Sequence, residues 1–469
     1  MRLCAPMCDD GQMIRLILVK ELRLQMGRPI LLGSAGVLIF LMGLSGGIAS
    51  AHFRAARAAW QDRTTLQQEG IRQTEYDLSR LIVLDYTWEL PPHPLSFIAS
   101  DDDLPRVIRA EGFLGGSLAL QETTREHPWI IAPRPFDWIF LVGFLFSFFV
   151  IILAHGTIAE EKERGTLPLV LSYPISRVQL LVGKLLAHGI VIGVVFLASV
   201  LASLLVIILL KSIPLSQWER IGMSVWVGLL YLYLFLLISL IASCLTHRAV
   251  TSLLLLISLW VFWGILIPQA ATIVVERLIP YPSEEEWVER QRPSLGPDAL
   301  RYALSQLRGQ EADRAALARW MARWYEANVS DQNRWLRERV NAMVRQVEAV
   351  QRINHLSPVM TFQMAEQEIC GTSYQRSLAF VTQVLSHRME FYEALRHVAS
   401  RSTGGTEEIV FPYELGSAKA RPEDLPTFRF VEPPLAVTSA LAIPVGLLLT
   451  EFVIGTIVLF SLFARYDVR

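Results

Sequence analysis

WIFLVGFLFSFFVIILAHGTIAEEKERGTLPLVLSYPISRVQLLVGKLL, residues 138–186, runs apolar, then charged, then apolar again. Crossing lipid as a helix, with the backbone satisfied internally, takes roughly 20 mostly apolar residues for a hydrocarbon core of about 30 Å. The first part of this stretch, opening on Trp138 behind Pro135, reads as a short interfacially anchored span. The second is the start of a longer one. The whole chain supports that frame: 469 residues, 52% hydrophobic and 19% charged, with mean hydropathy +0.38, too apolar for an ordinary soluble protein.

Six windows qualify as spans: 29–50, 138–155, 178–210, 221–245, 249–273 and 435–464. Basic residues in short flanks set the orientation. With the N-terminus inside, Arg2, Arg15, Lys20, Arg23, Arg28, Lys162, Arg164, Arg177, Lys184, Arg248, Arg465 and Arg469 fall on the cytoplasmic side, against Lys211 and Arg220 in the short outer loop. The fold class is therefore an all-α membrane protein with six transmembrane helices, both ends cytoplasmic. Residues 1–28 form a cytoplasmic N-terminus, 156–177 a cytoplasmic loop and 465–469 a cytoplasmic tail. Two inserts, 51–137 and 274–434, lie outside and build a helical extracytoplasmic domain. No apolar segment with a cleavage site precedes the first span.

Periodicity orders the inserts. From Phe53 through Trp60, Ile71 and Leu81, three-and-four spacing extends the first span outward as a helix. Leu336, Val340, Met343, Val347 and Val350 form one stripe, and Leu378, Val381, Leu385, Met389 and Tyr392 another. Ser357 with Pro358 reads as a helix start, and Thr372 with Gln375 as a capping box. These stripes are core faces. Proline and glycine cluster near 280–297 and 404–434, marking the tethers.

The net charge of −1 gives no field for nucleic acid. Cys4, Cys8, Cys244 and Cys370 are too scattered for a disulfide framework, and Cys4 with Cys8 lacks the further ligands of a zinc site. No metal site is expected.

The loop itself carries five charges in a row, Glu160, Glu161, Lys162, Glu163 and Arg164, then a short apolar run. Thr166 is placed to cap a helix, Pro168 fits its first turn and Pro174 ends it, so about two turns are available. Ser176 with Gln179 then forms a capping box that opens the next span. So short a helix is marginal alone in water. Its Leu167, Leu169, Val170 and Leu171 either rest on the lipid surface or enter a groove on a soluble partner, with the charged run setting register. The residues leave both readings open.

EEKERGTLPLVLSYPISRVQLLVGKLL resembles the signature of ABC-2-type transporter permeases, with Glu160, Glu161, Arg164, Gly165, Thr166, Pro174, Ser176, Arg177, Gly183 and Lys184 matching. The run Lys20 to Arg23 is similar to the family's amphipathic elbow, and Phe463 to Arg469 to its closing segment. LSPVMTFQ and CGTSYQRSLAF resemble the subgroup with long extracytoplasmic insertions, related to permeases of nitrous-oxide-reductase maturation and gliding motility. Most of residues 51–130 and 280–350 carry no part of this resemblance. The resemblance implies that the 160–177 loop, with Leu167, Leu169 and Tyr173 among its contact residues, is a coupling helix against a cytoplasmic ATPase. It also implies two ATPase copies and a second permease chain, identical or closely related.

No G-x-x-x-x-G-K-[ST] occurs, and Gly183-Lys184 lies inside an apolar helix. ATP and magnesium are expected in the partner and no cofactor in this chain. Glu451, near the middle of the last span, is the intramembrane acid: it either faces a transport route or bonds a neighbouring helix. His155 and His188 read as solvated interfacial residues, and Tyr231, Tyr233, Trp260 and Trp263 as packing or interfacial aromatics. The leading function is a permease subunit of an ATP-driven exporter. The alternative is a mechanotransmission module that acts on a periplasmic partner with nothing crossing the bilayer. A membrane enzyme finds no HExxH or G-x-S-x-G.

Overall fold

The computed structural model describes residues 10–27, 29–100, 107–110, 118–121, 136–173, 175–210, 217–280, 286, 314–402, 419–434 and 439–465. Cys4, Cys8, Pro174, the residues from 466 to 469 and much of the two tethers lie outside them. Six helices are long and apolar enough to cross a membrane, and their order matches the expected one. Helix α1, Asp10–Met26, precedes the spans. The first span is the lower part of α2, Pro29–Gln73. Its 45 residues reach about 67 Å at 1.5 Å each, twice what lipid requires, so the outward extension is one rod as far as Gln73. Leu81, expected on the same helix, falls instead on a separate short helix, Leu78–Val83, after a turn.

The second span is built from α4, Trp138–Phe140, a π-helical turn Leu141–Phe146, and α5, Ser147–Ala154. Two short cytoplasmic helices follow, α6, Ala159–Glu163, and α7, Thr166–Leu171. The third span is α8, Arg177–Leu209, and the fourth α9, Trp218–Leu245. The fifth joins α10, Ala249–Val261, through a second π turn, Phe262–Leu266, to α11, Ile267–Leu278. Outer helices α12, Arg314–Asn354, α13, Pro358–Cys370, and α14, Tyr374–Ser402, precede the sixth span α15, Ser439–Ala464.

The interior belongs to the middle spans. The second and fourth are buried over 61% and 67% of their most apolar stretch, the fifth and sixth over only 22% and 17%. The last two therefore turn most of their surface to the surroundings. Helix α13 joins the same core. Phe362 stacks on Tyr231 of α9 with ring centroids 4.4 Å apart, Val359 and Phe362 pack against Gly143, and Glu366 accepts a buried hydrogen bond from Ser224. Part of the second insert thus dips into the bundle between the spans, which polar Glu366 and Gln367 concealed in the sequence.

The two π turns face this helix. A π turn leaves a carbonyl out of the ordinary ladder, and here side chains take it up: Tyr231 and Ser147 both donate to Gly143 O, at 2.7 and 2.6 Å, and Ser357 donates to Trp263 O at 2.7 Å. Ser357 also caps α13, as expected, by accepting from Met360 N, with Pro358 in the first turn. The capping box at Thr372 is a correction. Helix α14 begins at Tyr374, Thr372 N is used to close α13 onto Gln367 O, and Thr372 Oγ1 has no hydrogen-bond partner among the described residues.

Above the bundle, a second core gathers α3, Leu78–Val83, α12, α14 and a three-stranded antiparallel sheet of β1, Tyr86–Glu89, β2, Val107–Ala110, and β3, Leu118–Gln121. The outer domain is therefore not purely helical, although helices carry most of it. The expected stripes do form its core: Leu336, Val340, Met343 and Val347 with Val381, Leu385 and Tyr392, while Met389 stays partly exposed. The α2 rod meets the sheet through Trp60 Nε1 to Glu89 O at 3.1 Å and Gln67 Oε1 from Thr87 N at 3.3 Å. Arg388, fully buried, donates to Asn333 and Gln332.

His387 sits among Trp88, Phe391 and Phe428, at 6.4, 6.1 and 5.3 Å between centroids, and burial pushes its pKa down to about 4. The unfolded chain, with a histidine near 6.5, binds more protons across that interval, so stability falls as pH drops from about 6.5 to about 4 and is unaffected by this group above it. Fluorescence-monitored denaturation of the outer domain at stepped pH should give that slope, made shallower in His387→Phe. Buried His93, also depressed by burial and by Arg376 and Arg220, adds to that slope with the same sign.

Candidate functional site at the cytoplasmic face

The charged run on α6 is spent inside the molecule. Ile158 N and Ala159 N, at the start of α6, donate to Ser243 Oγ of α9 at 3.0 and 2.9 Å. Lys162 Nζ donates to the carbonyls of Cys244 and Thr246, where α9 ends. These carbonyls lack partners within their own helix, and a cation there also meets the negative end of the helix dipole. Glu163 accepts from Ala249 N at 3.1 Å, the complementary position at the start of α10. Glu161 turns the other way and accepts from Lys184 of α8 at 2.7 Å. Glu160 and Arg164 pair with each other on the exposed side. Three of the five charges thus fix the loop to its own chain, which their solvated look in sequence did not reveal.

Lys184 is almost completely buried and also reaches Glu21 of α1 at 2.9 Å and Thr157 O at 3.3 Å. Gly183 beside it admits α1: a Cβ there would lie 2.6 Å from Ile17 Cγ2. His188 is buried too, a correction to its reading as a solvated residue. It contacts Thr157 Oγ1 at 3.0 Å through Nε2 and Lys184 O at 2.8 Å through Nδ1, because α1 and the loop roof this end of α8. His155 does lie at the exposed interface.

Helix α7 starts differently from the expectation. Its N-cap is Gly165, in the left-handed region at φ 68°, without a side-chain cap. Thr166 is the first helical residue, and its hydroxyl donates back to Glu161 O at 3.3 Å. The sharp turn out of α6 demands the left-handed backbone, which glycine alone supplies without cost. The apolar residues then divide. Leu167 is fully buried in the hydrophobic core of the helix bundle, whereas Leu169 and Tyr173 are 63% and 62% exposed. Ser176 and Gln179 form both bonds of the expected capping box at the start of α8, and Arg177 donates to Ala464 O at 2.6 Å. That bond ties the end of the sixth span to the same loop. Pro174 lies outside the described residues.

Glu451 stands apart from this cluster on α15. It is half-buried beside the fourth span, and its Oε2 has no hydrogen-bond partner among the described residues. Tyr231 is a packing residue, and Trp260 packs by donating to Ser147 Oγ at 3.0 Å.

A six-span bundle whose cytoplasmic loop carries this motif defines a class of membrane transport proteins, and the comparison with known families is specific. The chain belongs to the ABC-2 family of transporter proteins, whose pattern matches residues 16–468. It is 33% identical over 141 residues to the probable ABC transporter permease protein NosY of Pseudomonas aeruginosa, covering 29% of this chain and 50% of that protein. It is 35% identical over 86 residues to a protein of the same description from Stutzerimonas stutzeri, covering 18% and 29%. The alignments thus span half or less of these relatives. Family and spans together make this a multi-pass protein of the bacterial inner membrane.

The division of burial on α7 has a direct consequence. Leu167→Ala should destabilise the protein by about 2–5 kcal/mol, and Leu169→Ala by no more than about 0.5 kcal/mol. Thermal unfolding in detergent separates the two.

Proposed function

We propose that this chain is the membrane-spanning permease subunit of an ATP-driven exporter, powered by a separate cytoplasmic ATPase that docks on α7. The observation that carries the reading is the exposed pair Leu169, on α7, and Tyr173, just past its end, on an element held to the bundle by buried Leu167. Exposed apolar side chains on a fixed, short helix make a ready contact for a groove on a partner. Arg164, exposed beside them, and partly exposed Glu160 supply charge for register, Gly165, Thr166, Leu167, Ser176 and Arg177 shape and hold the element, and Glu161 joins it to Lys184. ATP and magnesium belong to the ATPase, present in two copies. A second permease chain, identical or closely related, completes the transporter and lies along the little-buried peripheral spans. Glu451, carrying an unmatched carboxyl oxygen on the sixth of these, is the candidate for the transport route.

A second reading has its own support. The α2 rod runs unbroken from the cytoplasmic side of the bilayer to the sheet of the outer domain, where Arg63 pairs with Glu89 at 2.6 Å. A rigid rod with its top fastened would deliver motion to a periplasmic partner without passage of any substrate.

Purification from the native membrane should bring down a nucleotide-binding subunit. Leu169→Glu combined with Tyr173→Ala should weaken that association by at least about tenfold while leaving thermal stability near wild type. A stable, active complex without such a subunit, or full retention of it by the double variant, overturns the docking reading.

A further inference from the structure

Lys184 holds two carboxylates that belong to different elements. Glu21 comes from α1, and Glu161 from α6, the helix on which α7 is built. The ammonium is 2% exposed and the two carboxylate side chains 11% and 21%, so all three charges have given up most of their water. Such a group persists only when its hydrogen bonds are well made. Each of the three ammonium donors finds an acceptor, in Glu21, Glu161 and Thr157 O, while the second carboxylate oxygen of Glu161 is buried with no hydrogen-bond partner among the described residues.

The two flanks of α6 are attached by different means. Toward α9 and α10 each bond has backbone on one side: Ile158 N and Ala159 N donate to Ser243 Oγ, Lys162 donates to carbonyls at the end of α9, and Glu163 accepts from Ala249 N at the start of α10. Toward α1 the connection runs through side-chain charges meeting at Lys184. Close approach is built in on that flank, since Ile17 of α1 occupies the space a side chain at position 183 would fill. Helix α1 then leads, across Gly27 and one further residue, into α2.

We infer that Lys184 is a positioning residue for energy transfer: by clamping Glu21 and Glu161 it makes α1 and the α6–α7 loop move together, so that a push on α7 reaches the first span. The inference rests on the proposed docking of an ATPase on α7. Removing the lysine leaves two carboxylates facing each other without a cation, and α1 is released from the loop. Removing Glu161 leaves a balanced Lys184–Glu21 pair and releases α1 from α6 alone. The backbone attachments toward α9 and α10 keep α7 presented in both cases.

The test uses the complete complex, isolated with its own ATPase subunit and placed in lipid nanodiscs, with hydrogen exchange followed by mass spectrometry before and after Mg-ATP plus vanadate. In the wild type, α7 and residues 14–26 of α1 should change protection together. In Lys184→Met and in Glu161→Gln, ATPase binding should stay within about threefold of wild type and α7 should still respond. The nucleotide-dependent change in α1 should drop by at least about tenfold, and Lys184→Arg should restore it in part. An α1 response equal to wild type in Glu161→Gln overturns the inference while leaving docking intact. So does loss of ATPase binding in both variants, which would assign the triad to stability alone. Absence of any α7 response in the wild type instead overturns the docking reading itself. Glu161→Gln, which keeps a balanced buried pair, covers the case in which Lys184→Met fails to fold.

Discussion

The buried contact of Lys184 with Glu21 and Glu161 is the constraint around which the cytoplasmic face is organised. An ammonium withdrawn from water costs several kcal/mol unless carboxylates meet it in good geometry, and the two that do arrive from elements far apart in sequence. Helix α6 has five residues and no independent stability at that length. It exists because its start is bonded by Ser243, its Lys162 closes the end of α9 and its Glu163 closes the start of α10. Once α6 is fixed, the left-handed turn at Gly165 and the burial of Leu167 decide where α7 points. Leu169 and Tyr173 are left outside as a consequence of that geometry.

At the other side of the bundle the same accounting of polar groups governs the core. The π turns in the second and fifth spans loosen the backbone ladder, and the carbonyls of Gly143 and Trp263 are recovered by Tyr231, Ser147 and Ser357. Two of those donors come from other helices, so each irregularity also fastens neighbours together. Helix α13 occupies the space between them and is buried on nearly all sides. The outer half of the bundle is thereby filled by a piece of the insert, and the spans cannot be described as separate from the domain above them. The α2 rod makes the second connection, from lipid to sheet.

Much of this was legible because it depends on local chemistry. Apolar length gives the six spans, since a backbone in lipid must satisfy its own polar groups and stretches of this length do so as helices. Ser176 with Gln179 and Ser357 with Pro358 form their caps because both partners lie within one helical turn. The stripe from Leu336 to Val347 reads as core because a 3.6-residue period is a property of the helix itself. Thr372 carries a similar signal yet is used to close the preceding helix, an outcome set by Gly371 and by how α13 ends. The strands were missed because each has four residues, too few for alternation to stand out. They are held by pairing between residues 18 to 24 positions apart in β1 and β2 and 8 to 14 apart in β2 and β3.

By itself the sequence determined a membrane protein of six helices with a charged cytoplasmic loop, because hydrophobic length, basic flanks and capping pairs act over one or two turns. Only the tertiary structure decided what the charges of that loop are for. Lys184 could be identified as a residue of an apolar helix, but its value depends on Glu21 and Glu161, which are 163 and 23 positions away. The depth of α13 and the split between buried Leu167 and exposed Leu169 were settled in the same way. Burial is a property of neighbours brought together by packing, and no short-range pattern records who those neighbours will be.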